Sequence, residues 1–524
     1  MGKSKRTTRQ EEIINIDKRK CIGCTACAFT CARATGTSVL RSIAGVRKTV
    51  EPKKESFEAS ACIFCGQCTS TCPTSSINAR NDINLVNEAL TSGKYLIATA
   101  TPAVRATLGE EFNLPIGTDT YGKISASARK LGFQRVFDSA FCADMISLEV
   151  GNELIKRLSS KEKLPVFTSC CPAWINYVEI FHPEIINYIL PTKTPEQMMG
   201  TLIKTYFAES YNVLPDNIFA VAISTCTCAK YEASRANMGR DGYKDIDVVL
   251  TIREYAELLR ERGINITAIP DEKPDILMEE HTGAAALTGI SGGTVNSILR
   301  VVEKYLNGEK VKVDDIEFTQ VNGYENVFEA MVTIGTSQGK VAVLNGLKDI
   351  DKFISNSKWK EYILIEVMGC SGGCVNGGGT RKIKKKSNIN EKLCIRCNTC
   401  ILNCPTGAIY HKPSGSAASL PDKCVGCTLC SKICRAGAIN MLYFDSANDK
   451  LLTEDYIKLR ADVLKAIDKA SSIRISDENC TMQEIYRNYI GKPGEENAKS
   501  LLYTEHQDRS SILEDEKIRN KRKS

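Results

Sequence analysis

Between residues 81 and 386, short apolar runs alternate with stretches in which apolar positions recur every three or four residues. The runs YLIATA (95–100), LPVFTS (164–169), NIFAVAIS (217–224), DIDVVLT (245–251), KVAVLNG (340–346) and YILIEVMG (362–369) read as buried strands. The stretches ISASARKLGF (124–133), ISLEVGNELIKRL (146–158), REYAELLRERG (253–263) and GGTVNSILRVVEKYL (292–306) read as helices with one apolar face. This succession predicts an α/β domain with largely parallel sheets. In such folds, chemistry gathers where strands end in loops. Near the C-terminus, 453–468 and 481–490 read as two further amphipathic helices. The second is opened by a Thr481/Glu484 capping box and closed by Gly491 and Pro493.

The flanking segments follow a different rule. Cys21, Cys24, Cys27 and Cys31 are spaced C-x2-C-x2-C-x3-C, and the spacing returns at Cys62, Cys65, Cys68, Cys72, at Cys394, Cys397, Cys400, Cys404, and at Cys424, Cys427, Cys430, Cys434. In this ferredoxin-type run three close thiolates hold three corners of a 4Fe-4S cube, and the fourth cysteine serves the neighbouring cube. The pairing rule therefore joins Cys21, Cys24 and Cys27 to Cys72, and Cys62, Cys65 and Cys68 to Cys31. It likewise joins Cys394, Cys397 and Cys400 to Cys434, and Cys424, Cys427 and Cys430 to Cys404. The usual proline follows Cys72 and Cys404, whereas Ala32 and Arg435 follow the other two. Structural zinc is the competing use of C-x2-C pairs, but zinc sites separate two pairs by a longer loop. Two α+β modules are expected, at 1–80 and 387–445, each carrying two clusters for one-electron transfer.

The composition fits this picture. The chain has 524 residues, too many for one core, with 43% hydrophobic and 25% charged residues. Beside only four histidines stand 24 cysteines, so metal chemistry here is thiolate chemistry in a reducing compartment. The basic start, MGKSKRTTRQEE, is followed by no apolar stretch and does not read as a secretory signal. No apolar span is long enough to cross a bilayer, and a cytoplasmic protein without membrane insertion is expected. The net charge is +7, and the basic runs at 381–386 and in the tail at 509–524 lack interleaved aromatics, which argues against nucleic acid as a partner.

Five further cysteines lie at predicted strand ends: Cys170 and Cys171 after LPVFTS, Cys226 after NIFAVAIS, and Cys370 with Cys374 after YILIEVMG. Four or five thiolates from three strand ends can converge on one metal site; scattered buried thiols are the alternative. Cys142, Cys228 and Cys480 fall in that second class. The stretch GCSGGCVNGGG (369–379) lacks the G-K-[ST] ending of a phosphate cradle and suits a loop wrapped closely around a cluster.

The segments TSCCPAW (168–174) and EVMGCSGGCVNGGG (366–379), with a partial match at STCTCAKYE (224–232), resemble the three signature segments of iron-iron (FeFe) hydrogenases. The stretch YIGKPGEENAKSLLYTEH (489–506) is similar to the belt that wraps the catalytic domain in that family. The resemblance implies an H-cluster catalytic domain at 81–386, completed by a helical belt at 446–508 and interrupted by the second ferredoxin-like module. It implies that Cys171, Cys226, Cys370 and Cys374 hold a 4Fe-4S cube, and that Cys374 bridges to a two-iron subsite bearing CO, CN and azadithiolate. Cys170 is then the proton relay and Met368 packs against the subsite. The implied reaction is the reversible combination of two protons and two electrons to H2, with a ferredoxin-like carrier as electron partner and maturation proteins to install the subsite. A hydrogen sensor acting through a partner, or a non-catalytic iron-sulfur electron-transfer or assembly protein lacking the two-iron subsite, is the alternative function.

Three positions depart from the family pattern. Ala229 replaces a lysine that donates to a cyanide ligand, with Lys230 as its expected substitute, while Glu232 is retained. On the proton route Glu153 matches the outer glutamate, but the inner one falls on Val150 and a serine falls on Leu190. Neither aliphatic side chain carries protons. Glu149 and Glu196 are candidates for a different route. The combination resembles the divergent subgroup called group B.

Overall fold

The computed structural model describes residues 12–45, 48–160, 162–308, 316–452 and 454–513. The basic N-terminal segment, most of the charged tail and the first residue of the predicted helix at 453–468 lie outside them.

Two sheets carry the central domain. In the first, Val248–Thr251, Ile218–Ser224, Tyr95–Ala100 and Arg135–Asp138 lie side by side, all parallel. The strand Arg135–Asp138 is too short and too polar at its first residue to register as an apolar run. The second sheet is mixed: Thr319–Gln320, Val327–Ile334 and Ser337–Asn345 form an antiparallel meander, after which Leu364–Met368 and Val166–Phe167 add parallel strands. The sheets are therefore largely parallel around the strand ends that carry cysteine, and antiparallel only at one edge.

The helix expected at 146–158 extends over Ala140–Ser160. Its first two turns, AFCADMIS, are buried on every face, so they show no amphipathic period. It packs against Gly293–Asn307, whose residues 293–302 are all buried.

The ferredoxin-like modules are small α+β units. In the first, Ile14–Ile16 pairs antiparallel with Ile77–Ala79, and Leu40–Ile43 with Thr49–Pro52. In the second, Lys385–Ile389 pairs antiparallel with Ile439–Asp445, and Ile409–His411 with Ala417–Ser419. Each module has two short helices, one starting within each cysteine run and carrying its third cysteine.

The C-terminal segment wraps the central domain and is tied to it by buried ion pairs. Arg460 donates to both oxygens of Glu110 (2.7 and 2.6 Å), and Arg300 donates to both oxygens of Asp468 (2.6 and 2.9 Å). Fork-to-fork pairs of this kind fix orientation as well as contact. Arg509, at the start of the predicted tail, is held by Asn176 and Glu179 and belongs with this belt. The second belt helix begins at Cys480 and is capped by Asn479, whose side chain accepts from the Met482 N–H; it passes into a π-helical turn at Tyr486–Ile490. Thr481 is not the cap, because its hydroxyl is bonded to Glu280. The preceding helix runs Tyr456–Ala470 from an Asp455 cap.

Candidate metal centre and electron path

Cys171 ends the segment after Val166–Phe167 and caps the helix Pro172–Phe181, where Pro172 stands at the first position because its missing N–H costs nothing there. Its thiol accepts from the Gly369 N–H at 3.2 Å, which ties the first cysteine segment to the third. Cys226 follows Ile218–Ser224, and its N–H is bound by the Ser224 hydroxyl at 3.2 Å. Cys370 and Cys374 sit in the glycine-rich loop after Leu364–Met368. A Cβ on Gly373 would lie 2.7 Å from the Ile290 carbonyl carbon, and one on Gly378 would lie 2.3 Å from the Cys65 carbonyl oxygen. Only glycine permits both approaches.

The four thiols share one buried space. Burial, then Cys171 and Cys370, push Cys374 far above the ordinary thiol range; burial, then Cys228, Cys171, Cys370 and Cys374, do the same to Cys226. Burial and then Cys171 raise Cys370 to about 12. Thiols so placed become thiolates only when a cationic core neutralises them. Buried polar atoms without a partner among the described residues lie near them: Thr225 Oγ1 next to Cys226, Ser291 Oγ on the residue that packs against Gly373, and Glu196 Oε1, whose carboxyl acts on Cys374. A soft, anionic donor set lined by unsatisfied polar atoms fits an iron-sulfur core with polar ligands. Among the described residues, no three such donors converge on a point as they do around a single ion.

Cys170 is placed beside this space, its Sγ 3.6 Å from Thr294 Oγ1. Burial, followed by the Glu366 carboxylate, raises it to about 12. Glu366 carried no expected role. It is fully buried, accepts from the N–H groups of Gly292 (2.7 Å) and Val295 (2.9 Å), and is raised by burial to about 7. Its signal was a carboxylate inside an otherwise apolar parallel strand. Met368, 2% exposed, shares an apolar cluster with Cys171, against which Cys170 and Cys226 pack.

Lys230 does not take the place expected of it. Its fully buried ammonium donates to Asp82 (2.7 Å), Glu254 (2.9 Å) and the Val249 carbonyl (2.6 Å), three acceptors that use its three protons. Glu153 pairs with Arg157 one turn along its helix at 2.7 Å. Val150 and Leu190 lie in one apolar cluster, 0% and 4% exposed. Glu149 is held by Tyr486, Tyr503 and the Gly494 N–H, all from the belt. Glu232 accepts from Thr194, and burial with the nearby Glu196 raises it to about 8; burial raises Glu196 itself to about 7.

The ferredoxin-type cysteines gather in the sets that the pairing rule joins. Cys21, Cys24, Cys27 and Cys72 line one pocket, Cys394, Cys397, Cys400 and Cys434 a second, and Cys404, Cys424, Cys427 and Cys430 a third. Cys62, Cys65 and Cys68 are raised by burial first, and Cys31 is among the charged neighbours of each. These sets succeed one another in space. Cys24 is a charged neighbour of Cys427, and Lys432 lies over the Phe29 ring at 4.6 Å, joining the two modules. At the inner end Cys370 is the first charged neighbour of Cys65, and Gln67 donates to the Asn376 carbonyl at 2.8 Å. Cys228 is buried between Cys171 and the Cys62/Cys65 pair.

A buried thiolate centre at the end of a file of ferredoxin-type sites defines an iron-sulfur oxidoreductase. The model of the iron only hydrogenase large subunit, C-terminal domain, matches residues 94–378 and that of the iron hydrogenase small subunit 454–509, while 4Fe-4S dicluster models match 13–73 and 387–441. The chain belongs to the iron-only (FeFe) hydrogenase family. It is 32% identical over 506 residues to iron hydrogenase 1 of Clostridium pasteurianum, covering 96% of this chain and 77% of that protein. It is also 30% identical over 351 residues to the cytosolic iron-sulfur assembly component 3 of Rattus norvegicus, covering 63% of this chain and 73% of that one. A solved apo FeFe-hydrogenase of Chlamydomonas reinhardtii superposes with a TM-score of 0.61 at 25% identity, covering 81% of this chain and 98% of that chain. Among the described residues no helix is long and apolar enough to cross a membrane.

Proposed function

We propose that this chain is a catalytic FeFe hydrogenase that interconverts H2 with two protons and two electrons, exchanging the electrons with a ferredoxin-like carrier through four accessory 4Fe-4S clusters. The observation that carries the reading is the convergence of Cys171, Cys226, Cys370 and Cys374 from three strand ends, with Cys170 beside them and the ferredoxin-type sites leading to them. In this reading the four thiols would hold the inner cube, and Cys374 would also hold a two-iron subsite with CO, CN and azadithiolate. When bound, that subsite supplies Lewis-acid iron and a nearby amine base.

The chain's own contribution is placement and exclusion. Met368 and the apolar cluster around it keep the centre dry, where electrostatic interactions are stronger. The Cys170 thiol holds a proton at Sγ and passes it to or from the centre. The glycine loop brings the inner cube's ligands against the first ferredoxin-like module, which favours fast electron exchange. The likeness to a cytosolic iron-sulfur assembly component supports a second reading, a non-catalytic protein without the two-iron subsite. Matured protein distinguishes them: cyanide and carbonyl infrared bands with viologen-linked hydrogen turnover are expected, and their joint absence would favour the assembly reading. Bands without turnover in either direction would favour a sensor.

A further inference from the structure

The aliphatic pair Val150 and Leu190 closes the proton route that family resemblance implies, yet a catalytic centre this deeply buried needs one. A different set of polar side chains leads to the same thiol. Thr294 Oγ1 lies 3.6 Å from Cys170 Sγ, at the start of the buried helix Gly293–Asn307. Ser297 is three residues on, hence on the same helix face, with Cβ atoms about 5–6 Å apart, a gap that one water spans. Ser297 Oγ lies 2.7 Å from Ser147 Oγ and 3.2 Å from Ser476 Oγ of the belt. Ser476 stands beside the Asp144 carboxyl and opposes the rise that burial imposes on it. Asp144 is also bound by the Thr282 hydroxyl (2.6 Å), the Thr282 N–H (2.9 Å) and the Asn479 amide (3.1 Å). Its outer neighbours, Glu280 and His281, are only half-buried, and the Asn479 amide donates to the Glu280 carbonyl at 2.8 Å.

We infer that Thr294, Ser297, Ser476 and Asp144 form the proton conduit of this chain, replacing the route lost at Val150 and Leu190; the inference rests on the hydrogenase reading above. All four side chains are buried: Thr294, Ser297 and Ser476 have no exposure, and neither has Asp144. Hydroxyls in the core of a packed helix pair are costly unless bonded; here Ser147, Ser297 and Ser476 bond to one another, and Thr294 bonds to Cys170 at the inner end. In the conduit a protonated Asp144 donates to Ser476, Ser476 to Ser297, Ser297 to the water in the gap, and that water to Thr294. A proton entering at Asp144 thus releases one from Thr294 to Cys170 as the thiol gives up its own proton to the centre, and every hydroxyl, the water and the thiol end with the proton count they began with. Burial holds Asp144 above the ordinary carboxyl range, so it can carry a proton rather than only accept hydrogen bonds. Ser147 is a positioning residue: its hydroxyl lies 3.0 Å from the Ala143 carbonyl and 2.7 Å from Ser297 Oγ, and it donates to Ser297 when Ser297 turns its own proton inward.

The rival carboxylates are placed less well. Glu149 is bonded to Tyr486, Tyr503 and Gly494, and Glu153 to Arg157, so neither joins the hydroxyls that lead to Cys170. Glu196 has a free oxygen and faces Cys374, and is the competing entrance.

The test uses matured full-length protein. Thr294→Val preserves shape and removes the hydroxyl, and Thr294→Ser restores it; Ser297→Ala and Asp144→Asn interrupt the file further out. Turnover is expected to fall by about a hundredfold in Thr294→Val with Ser297→Ala, in the range lost with a proton-transfer group, and to return in Thr294→Ser. Cyanide and carbonyl bands and iron content stay unchanged. Infrared difference spectra between pH extremes are expected to show a protonated carboxyl band that disappears in Asp144→Asn and shifts in Ser476→Ala. Full turnover in the double variant, or loss of turnover only in Glu196→Gln, overturns the conduit. A wild-type protein that binds the diatomic ligands but never turns over overturns the hydrogenase reading instead.

Discussion

The Lys230 ammonium lies 2.7 Å from the Asp82 carboxylate, which precedes the first helix of the central domain, and 2.9 Å from Glu254, which closes a capping box with Thr251. One buried cation thus binds the start of two helices. Removing one member of a buried charge network leaves the others uncompensated and costs about 3–5 kcal/mol. Lys230→Met is therefore expected to lower the unfolding midpoint strongly while leaving the cyanide band frequencies of the matured protein in place. Denaturant melts and infrared spectra check both halves, and a shift in the cyanide bands would return Lys230 to the centre.

Much of the site was legible because its chemistry is written in spacing. Sixteen cysteines repeat one pattern, and the strand-end cysteines fall where an α/β fold collects function. The side-chain partners of Lys230 were not legible, since Asp82 and Glu254 lie far from it in sequence. Nor was Glu366, whose value comes from the N–H groups of Gly292 and Val295 across the fold. The capping box at Thr481 was a local signal that tertiary contact with Glu280 overrode.

His506 reports on belt docking. Its Nε2 is buried without a partner among the described residues; burial lowers its pKa to about 4, with Glu179 opposing and Arg235 assisting. The folded state therefore binds fewer protons than the unfolded one between pH 6.5 and 4. Stability falls as pH drops through that window and levels off below it. A shift of this size corresponds to at most about 3 kcal/mol. The melting temperature is expected to fall less between pH 7 and 5 in His506→Gln than in the parent chain.

Cys170→Ala should leave cluster assembly intact, because its thiol stands beside the four proposed ligands and contacts Thr294. Iron content and infrared bands are expected to match the parent chain while most turnover is lost. Normal turnover would remove Cys170 from the proton route.

Restoring one glutamate at Val150 should not reopen the family route. Val150 has no exposure and Leu190 remains an aliphatic block in the same cluster, so the new carboxyl is buried without a partner and destabilises the fold. The expected result for Val150→Glu is an unchanged rate with a lower melting temperature. Turnover that rises in Val150→Glu with Leu190→Ser, but not in either alone, would show that both positions close one path.

The outermost set, Cys394, Cys397, Cys400 and Cys434, includes the exposed Cys397 and is flanked by Leu393, Ile395 and Leu402 at 52%, 63% and 82% exposure. The set at Cys424 lies inward of it, against Cys24 of the first module. In a file, only the outer end needs to meet the carrier, and losing it leaves the inner cubes in place. Cys434→Ser is therefore expected to lose ferredoxin-linked turnover by at least about tenfold, since longer electron transfer replaces a short hop. Hydrogen–deuterium exchange catalysed at the centre, which needs no external electrons, should persist at the parent rate. If both activities fall together, the outer module acts on folding rather than on electron entry; if neither falls, electrons enter at the first module instead.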